Sequence, residues 1–190
     1  MKKNFFSLAL VALLGVAAHS ASAQAMMSPN SVMVGGKAML PSKNIVENAV
    51  NSADHTTLVA AVKAAGLVET LQGKGPFTVF APVNDAFENL PAGTVDNLLK
   101  PENKATLTKV LTYHVVAGNM TADKLMAAIK AGKGKASLKT VSGGTLVAQM
   151  NGKNNVVITD ESGNVATIST YDVNQSNGVI HVIDKVMLPK

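Results

Sequence analysis

The feature that most restricts the fold of this chain is a change of hydrophobic period at Gly132-Lys133-Gly134. Before it, apolar residues recur at helical spacing. Leu58, Val62 and Ala65 share one face, as do Leu107, Val110, Leu111 and His114, and as do Leu125, Met126 and Ile129. After it the spacing becomes two: Leu146, Ala148 and Met150 alternate with Thr145, Val147 and Gln149. Helices followed by a run of strands cannot be wound as repeated βαβ units. The sequence therefore predicts an α+β fold, a helical N-terminal half packed on a small β-rich wedge or sandwich.

Local punctuation sets the element boundaries. Asn44-x-x-Glu47 has the form of a capping box, Asp54 is placed to cap the segment of Leu58, and Gly66 breaks that segment. Gly73-Lys74-Gly75-Pro76 then introduces Phe77-Thr78-Val79-Phe80-Ala81, apolar on both faces and so expected as a strand covered on both sides. Pro82 ends it, Asn84 is placed to cap a short helix carrying Phe87, and Thr121 is placed to start the last helix. In the second half, Asn151-Gly152 and Ser162-Gly163-Asn164 predict hairpin turns. Strict alternation over 165–173 puts Thr167, Ser169 and Tyr171 on one face, with Ala166, Ile168 and Thr170 on the other.

The beginning of the chain predicts export. Lys2 and Lys3 precede an apolar run over 5–18, which ends at Ala21-Ser22-Ala23, giving a signal peptide over 1–23 cut after Ala23. The run is shorter than the roughly 20 residues a spanning helix needs, and no Cys is present to carry a lipid. The expected product is secreted or periplasmic, with no membrane insertion after signal removal. Residues 24–41, with Pro29, Gly35 and Gly36 and no period, are expected to form a flexible leader, and the domain proper to occupy 42–190. The 167 residues left after cleavage are enough to bury a core without disulfides, which zero Cys rules out.

Loss of Lys2 and Lys3 lowers the formal charge from +5 to +3. All 17 basic residues are Lys; Arg, which supplies bidentate contacts to phosphate and guanine, is absent. With no Trp and 4% aromatic residues, the sequence excludes a stacking platform, and nucleic acid is not an expected partner.

Catalytic patterns are lacking as well. No Gly-x-Ser-x-Gly elbow, phosphate loop or His-Glu-x-x-His occurs, and the carboxylates are scattered. His55, His114 and His181 follow no ligand spacing. The positions of His114 on an apolar helix face and His181 between Val179 and Ile183 favour core imidazoles over ligands. Met26, Met27, Met33 and Met39 are irregularly spaced, as in a linker rather than a copper site. The expectation is a non-enzyme without cofactor or metal.

Three blocks in order carry a resemblance to a known family. They are Gly75-Pro76-Phe77-Thr78-Val79-Phe80-Ala81-Pro82-Val83-Asn84-Asp85-Ala86-Phe87, then Leu111-Thr112-Tyr113-His114-Val115-Val116-Ala117-Gly118, then Asn177-Gly178-Val179-Ile180-His181-Val182-Ile183-Asp184-Lys185-Val186-Met187-Leu188-Pro189. They resemble the signature, Tyr-His and closing blocks of the fasciclin domain family, over about 42–189. Val83 departs from the small polar residue usual there, which puts the contact made by that hydroxyl in doubt.

The resemblance implies an exported interaction module serving cell adhesion or contact with extracellular matrix or a host surface. Its partner would be a protein or surface glycan outside the cytoplasm, with Tyr113, His114, Asn84 and Phe87 as candidate binding residues. His114 is equally placed to be a keystone of the fold, the role favoured here. The alternative is a periplasmic carrier of an apolar small molecule, carotenoid- or lipid-like, in a pocket lined by residues such as Phe80, Phe87, Met126 and Ile129.

Overall fold

The computed structural model describes residues 30–190, so the expected signal peptide and the first part of the leader lie outside the described residues. The described part of the leader is ordered structure. β1 (Val32–Val34) and β2 (Lys37–Met39) form an antiparallel hairpin. Val34 and Met39 are buried in the core, whereas Met33 and Lys37 turn out to solvent. The hairpin is docked through Asn48, whose Oδ1 accepts from the Leu40 N–H (2.9 Å) and whose Nδ2 donates to the Leu40 carbonyl (2.8 Å) and to Gln175 Oε1. A leader expected to be flexible is thus tied down by two apolar side chains and one buried amide, and the absence of a hydrophobic period over such short strands explains why it read as a linker.

The helical half comprises α1 (Ile45–Ala49), α2 (Thr56–Ala65), α3 (Val68–Gln72), α4 (Asn84–Glu88), α5 (Thr94–Leu98), α6 (Lys104–Tyr113) and α7 (Ala122–Ala131). The capping box of α1 forms as its sequence requires: Asn44 Oδ1 accepts from Glu47 N (2.9 Å) while Glu47 Oε2 accepts from Asn44 N (2.8 Å). Gly66 ends α2 in the left-handed conformation at φ +74°, where a Cβ would be strained.

Seven strands, β3 (Phe77–Pro82), β4 (Val115–Ala117), β5 (Lys135–Lys139), β6 (Thr145–Asn151), β7 (Asn155–Thr159), β8 (Val165–Gln175) and β9 (Gly178–Ile183), lie in the order β4-β3-β9-β8-β7-β6-β5. β5 to β9 form an antiparallel meander; β3 and β9 pair in parallel, from Phe77 opposite Gly178 to Pro82 opposite Ile183. That pair is the centre of the molecule, and β9 is buried along its whole length.

Alternation along β3 and β9 separates two cores. Val79, Ala81, Ile180 and Val182 face the helices α1 to α6, whereas Phe80 and Ile183 face the interior of the wedge, where α7 adds Leu125 and Ile129. β8 departs from the strict alternation read in the sequence. Its register breaks between Ile168 and Thr170 and again before Val173, with Asp172 at φ +51°. The breaks switch parity, so Tyr171 packs with Ala166 and Ile168 in the wedge core while Val173 joins the helical core.

Candidate functional site

The Tyr-His block lies where α6 runs into β4, and its two residues serve different cores. Tyr113, fully buried, reaches across the wedge: its hydroxyl donates to the Thr145 carbonyl (2.8 Å) and accepts from Glu161 N (3.0 Å). Gly144 lies flat against the ring; a Cβ there would sit 2.6 Å from Tyr113 Cε2. His114, 3% exposed, turns the other way. Its Nδ1–H donates to the Val110 carbonyl (2.8 Å), which fixes the tautomer and leaves Nε2 to accept from the buried Met187 N–H (2.9 Å). Burial pushes the imidazole down to about 4, against the opposing pull of the Val110 carbonyl and Asp160.

Asp160 completes the fastening of the C-terminal segment. Its Oδ2 accepts from Leu188 N (3.0 Å) and Asn164 Nδ2, and its Oδ1 accepts from Ser162 N and Asn164 N. The His114 ring thus joins α6 to Met187, and Asp160 holds the next residue, Leu188.

Asn84 is not the cap of its own helix. Val83 occupies the N-cap of α4 and makes no side-chain cap bond, as expected of a valine in place of a hydroxyl residue. The Asn84 side chain instead serves α2: Oδ1 accepts from Thr57 N (3.1 Å) and Thr56 Oγ1 (3.2 Å), and Nδ2 donates to the Ala53 carbonyl (2.8 Å). Asp54, read as the cap of that helix, is exposed and makes no such bond; His55 holds the N-cap position. Phe87 is buried in the helical core. None of the four candidate residues offers a free functional group at the surface, and the structure does not bring them together into one face.

The other histidines are also turned inward. His181 Nε2–H donates to the Met120 carbonyl (2.7 Å), with Phe80 stacked on the ring at 5.7 Å and Tyr171 edge-on at 6.0 Å. Burial lowers its pKa against the opposing effect of the Met120 carbonyl. His55 Nδ1 pairs with Ser52 Oγ at 2.9 Å, but its buried Nε2 makes no hydrogen bond of regular geometry.

Two concave regions stand out among the described residues. An apolar cavity of about 90 Å³ opens in the helical core, between the β1–β2 hairpin, α1, α2, β3 and β9, and Phe80 and His55 line it. Of the residues expected to line a carrier pocket, Phe80 alone is there. Phe87 packs elsewhere in the helical core; Ile129 and Met126 belong to the wedge core. The second region is an open polar groove of about 520 Å³ over the β8–β9 turn, flanked by the segment entering β3. Exposed Gln72, Lys74 and Ser176 form its rim, with Asn44, Asn119 and Asn177 among its walls.

Asn177 shows what the sequence concealed. Placed just before the last strand, it locks three segments together, accepting from Ile45 N (3.0 Å) and donating to the carbonyls of Leu71 (2.8 Å) and Gly73 (3.0 Å). Nothing local to the Asn-Gly dipeptide announces partners more than 100 residues away.

Comparison with known proteins agrees with this architecture. Protein sll1483 of Synechocystis is 48% identical over 170 residues, covering 89% of this chain and 86% of that protein. The pig transforming growth factor-beta-induced protein ig-h3 is 36% identical over 132 residues, 70% of this chain but 17% of its own length. A FAS1 domain pair from the insect cell adhesion molecule Fasciclin I superposes with a TM-score of 0.68 at 17% identity, over 77% of this chain and 51% of that one, which shows the fold. The fasciclin domain model matches residues 53–189, and the chain belongs to the fasciclin domain family.

Proposed function

We propose that this chain is an exported, non-catalytic adhesion module that binds a protein partner outside the cytoplasm. Membership of the fasciclin domain family supports this reading, as do the signal-type sequence over 1–23 and its likeness to domains of larger proteins. The side chains best suited to acid-base chemistry support it too: Tyr113, His114 and His181 are engaged by backbone groups of the fold. Among the described residues no group of three or more His, Asp or Glu side chains is arranged to hold a metal, and no helix is long and apolar enough to cross a membrane.

The observation that carries the reading is the polar groove. The exposed Gln72 amide, the Ser176 hydroxyl and the Lys74 cation on its rim offer donors and acceptors, which suits a polypeptide segment with its own alternating N–H and C=O groups. A carotenoid or lipid chain is less well served. The apolar cavity, at about 90 Å³, is far below the roughly 300–1,000 Å³ of pockets that enclose drug-sized ligands.

The test is capture of envelope and surface proteins by the immobilised chain from residue 24 onward, compared with a Lys74→Glu/Ser176→Arg double variant. Both substituted residues are exposed, so the variant should melt like the parent while losing the captured protein. Equal capture by the two, or a stoichiometric lipid or chromophore extracted from protein purified from its native host, would overturn the proposal.

A further inference from the structure

Charge is unevenly spread over this chain. Residues 24–190 carry a formal charge of +3, yet the stretch 124–159 alone holds six Lys and no acidic residue, which leaves −3 on all the rest. The stretch comprises most of α7 with β5, β6 and β7, one side of the wedge, and all six lysines are exposed.

The fold gathers four of the six at one end. α7 closes where Gly134 N–H donates to the Ile129 carbonyl (2.8 Å), and the chain passes directly into β5. Gly132 lies so close to the Lys135 carbonyl that a Cβ there would strike it, which keeps this turn tight. β5 starts with Lys135 opposite Gln149, and β6 enters its turn at Asn151, two residues further on. Lys130 and Lys133 at the α7–β5 turn, and Lys153 in the β6–β7 turn, therefore lie at the same end of the sheet as Lys135. The flanking carboxylates are elsewhere. Asp123 is in the first turn of α7, about 10 Å along the helix from Lys130, and Asp172 accepts from Ala122 N at that same place. Asp160 and Glu161 follow β7 at its opposite end, where both accept from backbone N–H groups.

Like charges gathered on one face repel one another, and Lys133 stands at φ +56° between two glycines, a conformation that costs a lysine more than a glycine. Lysines on an edge strand also deter pairing with another chain, but Lys130, Lys133 and Lys153 lie outside β5 and guard no edge. We propose that this end of the wedge is a docking surface for an acidic polysaccharide, a chain bearing carboxylates at intervals among neutral hydroxyls. The lysines meet the carboxylates singly, as hydrated point charges, while exposed Ser137, Asn154 and Asn155 supply hydroxyl and amide groups for the sugar hydroxyls. A lipid surface is less well matched. The large apolar side chains exposed on the described surface, Met33, Val50, Val141 and Val165, all lie outside these two turns, so nothing there would insert among acyl chains. The face is distinct from the polar groove at Lys74, and the inference stands independently of the adhesive reading.

Polygalacturonate is the probe, and its fully methyl-esterified form is the neutral match. Binding of each to the immobilised chain from residue 24 onward is followed by biolayer interferometry. The acidic polymer should bind saturably and the ester should not. Affinity for the acidic polymer should fall at least fivefold between about 50 and about 200 mM salt, as released counterions return. In protein labelled with nitrogen-15, the amide signals shifted by the polymer should fall within residues 130–139 and 151–155. Lys133→Gln/Lys135→Gln/Lys153→Gln should weaken binding at least tenfold. Lys63→Gln/Lys100→Gln/Lys104→Gln, which removes the same charge from exposed positions of the helical half, should change it less than twofold. The wild-type shift map decides the matter by itself if a variant fails to fold. No binding of the polymer, equal binding of polymer and ester, shifts centred on any other region, or equal losses in the two triple variants would overturn the proposal. Tighter binding to vesicles of phosphatidylcholine and phosphatidylglycerol in equal parts than to the polymer would overturn it in favour of a membrane.

Discussion

Replacing His114 by alanine removes a ring that makes two internal hydrogen bonds from a position 3% exposed. Each bond contributes about 1 kcal/mol net, and the stranded Met187 N–H, on a residue with no exposure, adds about 1–3 kcal/mol. The loss at pH 7.5 is therefore about 4 kcal/mol before any cavity cost. At roughly 2–4 °C per kcal/mol for a domain of this size, the melting temperature should fall by about 8–16 °C.

Acid separates this role from a merely bulky one. The folded-state pKa of about 4 lies below the usual histidine value of 6.5, so the unfolded chain takes up a proton that the folded one refuses. The stability this ring contributes is fully present above pH 6.5 and is lost as pH falls towards 4. At 1.36 kcal/mol per pH unit, the wild type loses about 3 kcal/mol at pH 4 from this group alone. The alanine variant has no such group. The gap between the two should narrow from about 4 kcal/mol at pH 7.5 to about 1 kcal/mol at pH 4, measured by urea unfolding monitored by circular dichroism. His55 and His181, lowered in the same direction, occur in both proteins and cancel in the difference. A gap that stays constant with pH, or wild-type melting accompanied by lost partner capture, would refute the keystone role.

Further outcomes follow from the same contacts. Tyr113→Phe strands the Thr145 carbonyl and the Glu161 N–H and should cost about 2 kcal/mol, read as a lower urea midpoint with unchanged slope; an unchanged midpoint would mean that water replaces the hydroxyl. Deleting residues 24–41 removes the burial of Val34 and Met39 and should cost about 3–6 kcal/mol; undiminished stability would restore the view of this segment as a dispensable leader. Gly75→Ala and Gly178→Ala would drive a Cβ into the backbone oxygens of Asn177 and Phe77 and should abolish soluble expression, whereas Gly152→Ala, at φ +76° with open space around it, should cost only about 1 kcal/mol.

Where a signal is carried by neighbours in the chain, the sequence was sufficient. The switch of period at 132–134, the capping box at Asn44 and Glu47, the doubly covered strand at Phe77 and the turn at Asn151-Gly152 are each set by residues within a few positions of one another, and each is present in the structure. The resemblance carried by the three blocks extended that reading to the fold as a whole. Partnership across the chain was beyond its reach. That Asn84 caps α2, that Asn177 binds α1 and the end of α3, and that His114 holds Met187 depends on which surfaces pack together, because a side-chain amide or imidazole has the same local pattern whoever its partner is.

The hairpin over 32–39 belongs to the same class, since three-residue strands carry too little periodicity to announce themselves. The sequence by itself determined the order of helices and strands and the family they build. Only the tertiary structure decided that the Tyr-His pair faces inward, that the hairpin borders a cavity, and that a polar groove opens over the β8–β9 turn, because burial is a property of packed elements and not of any one of them.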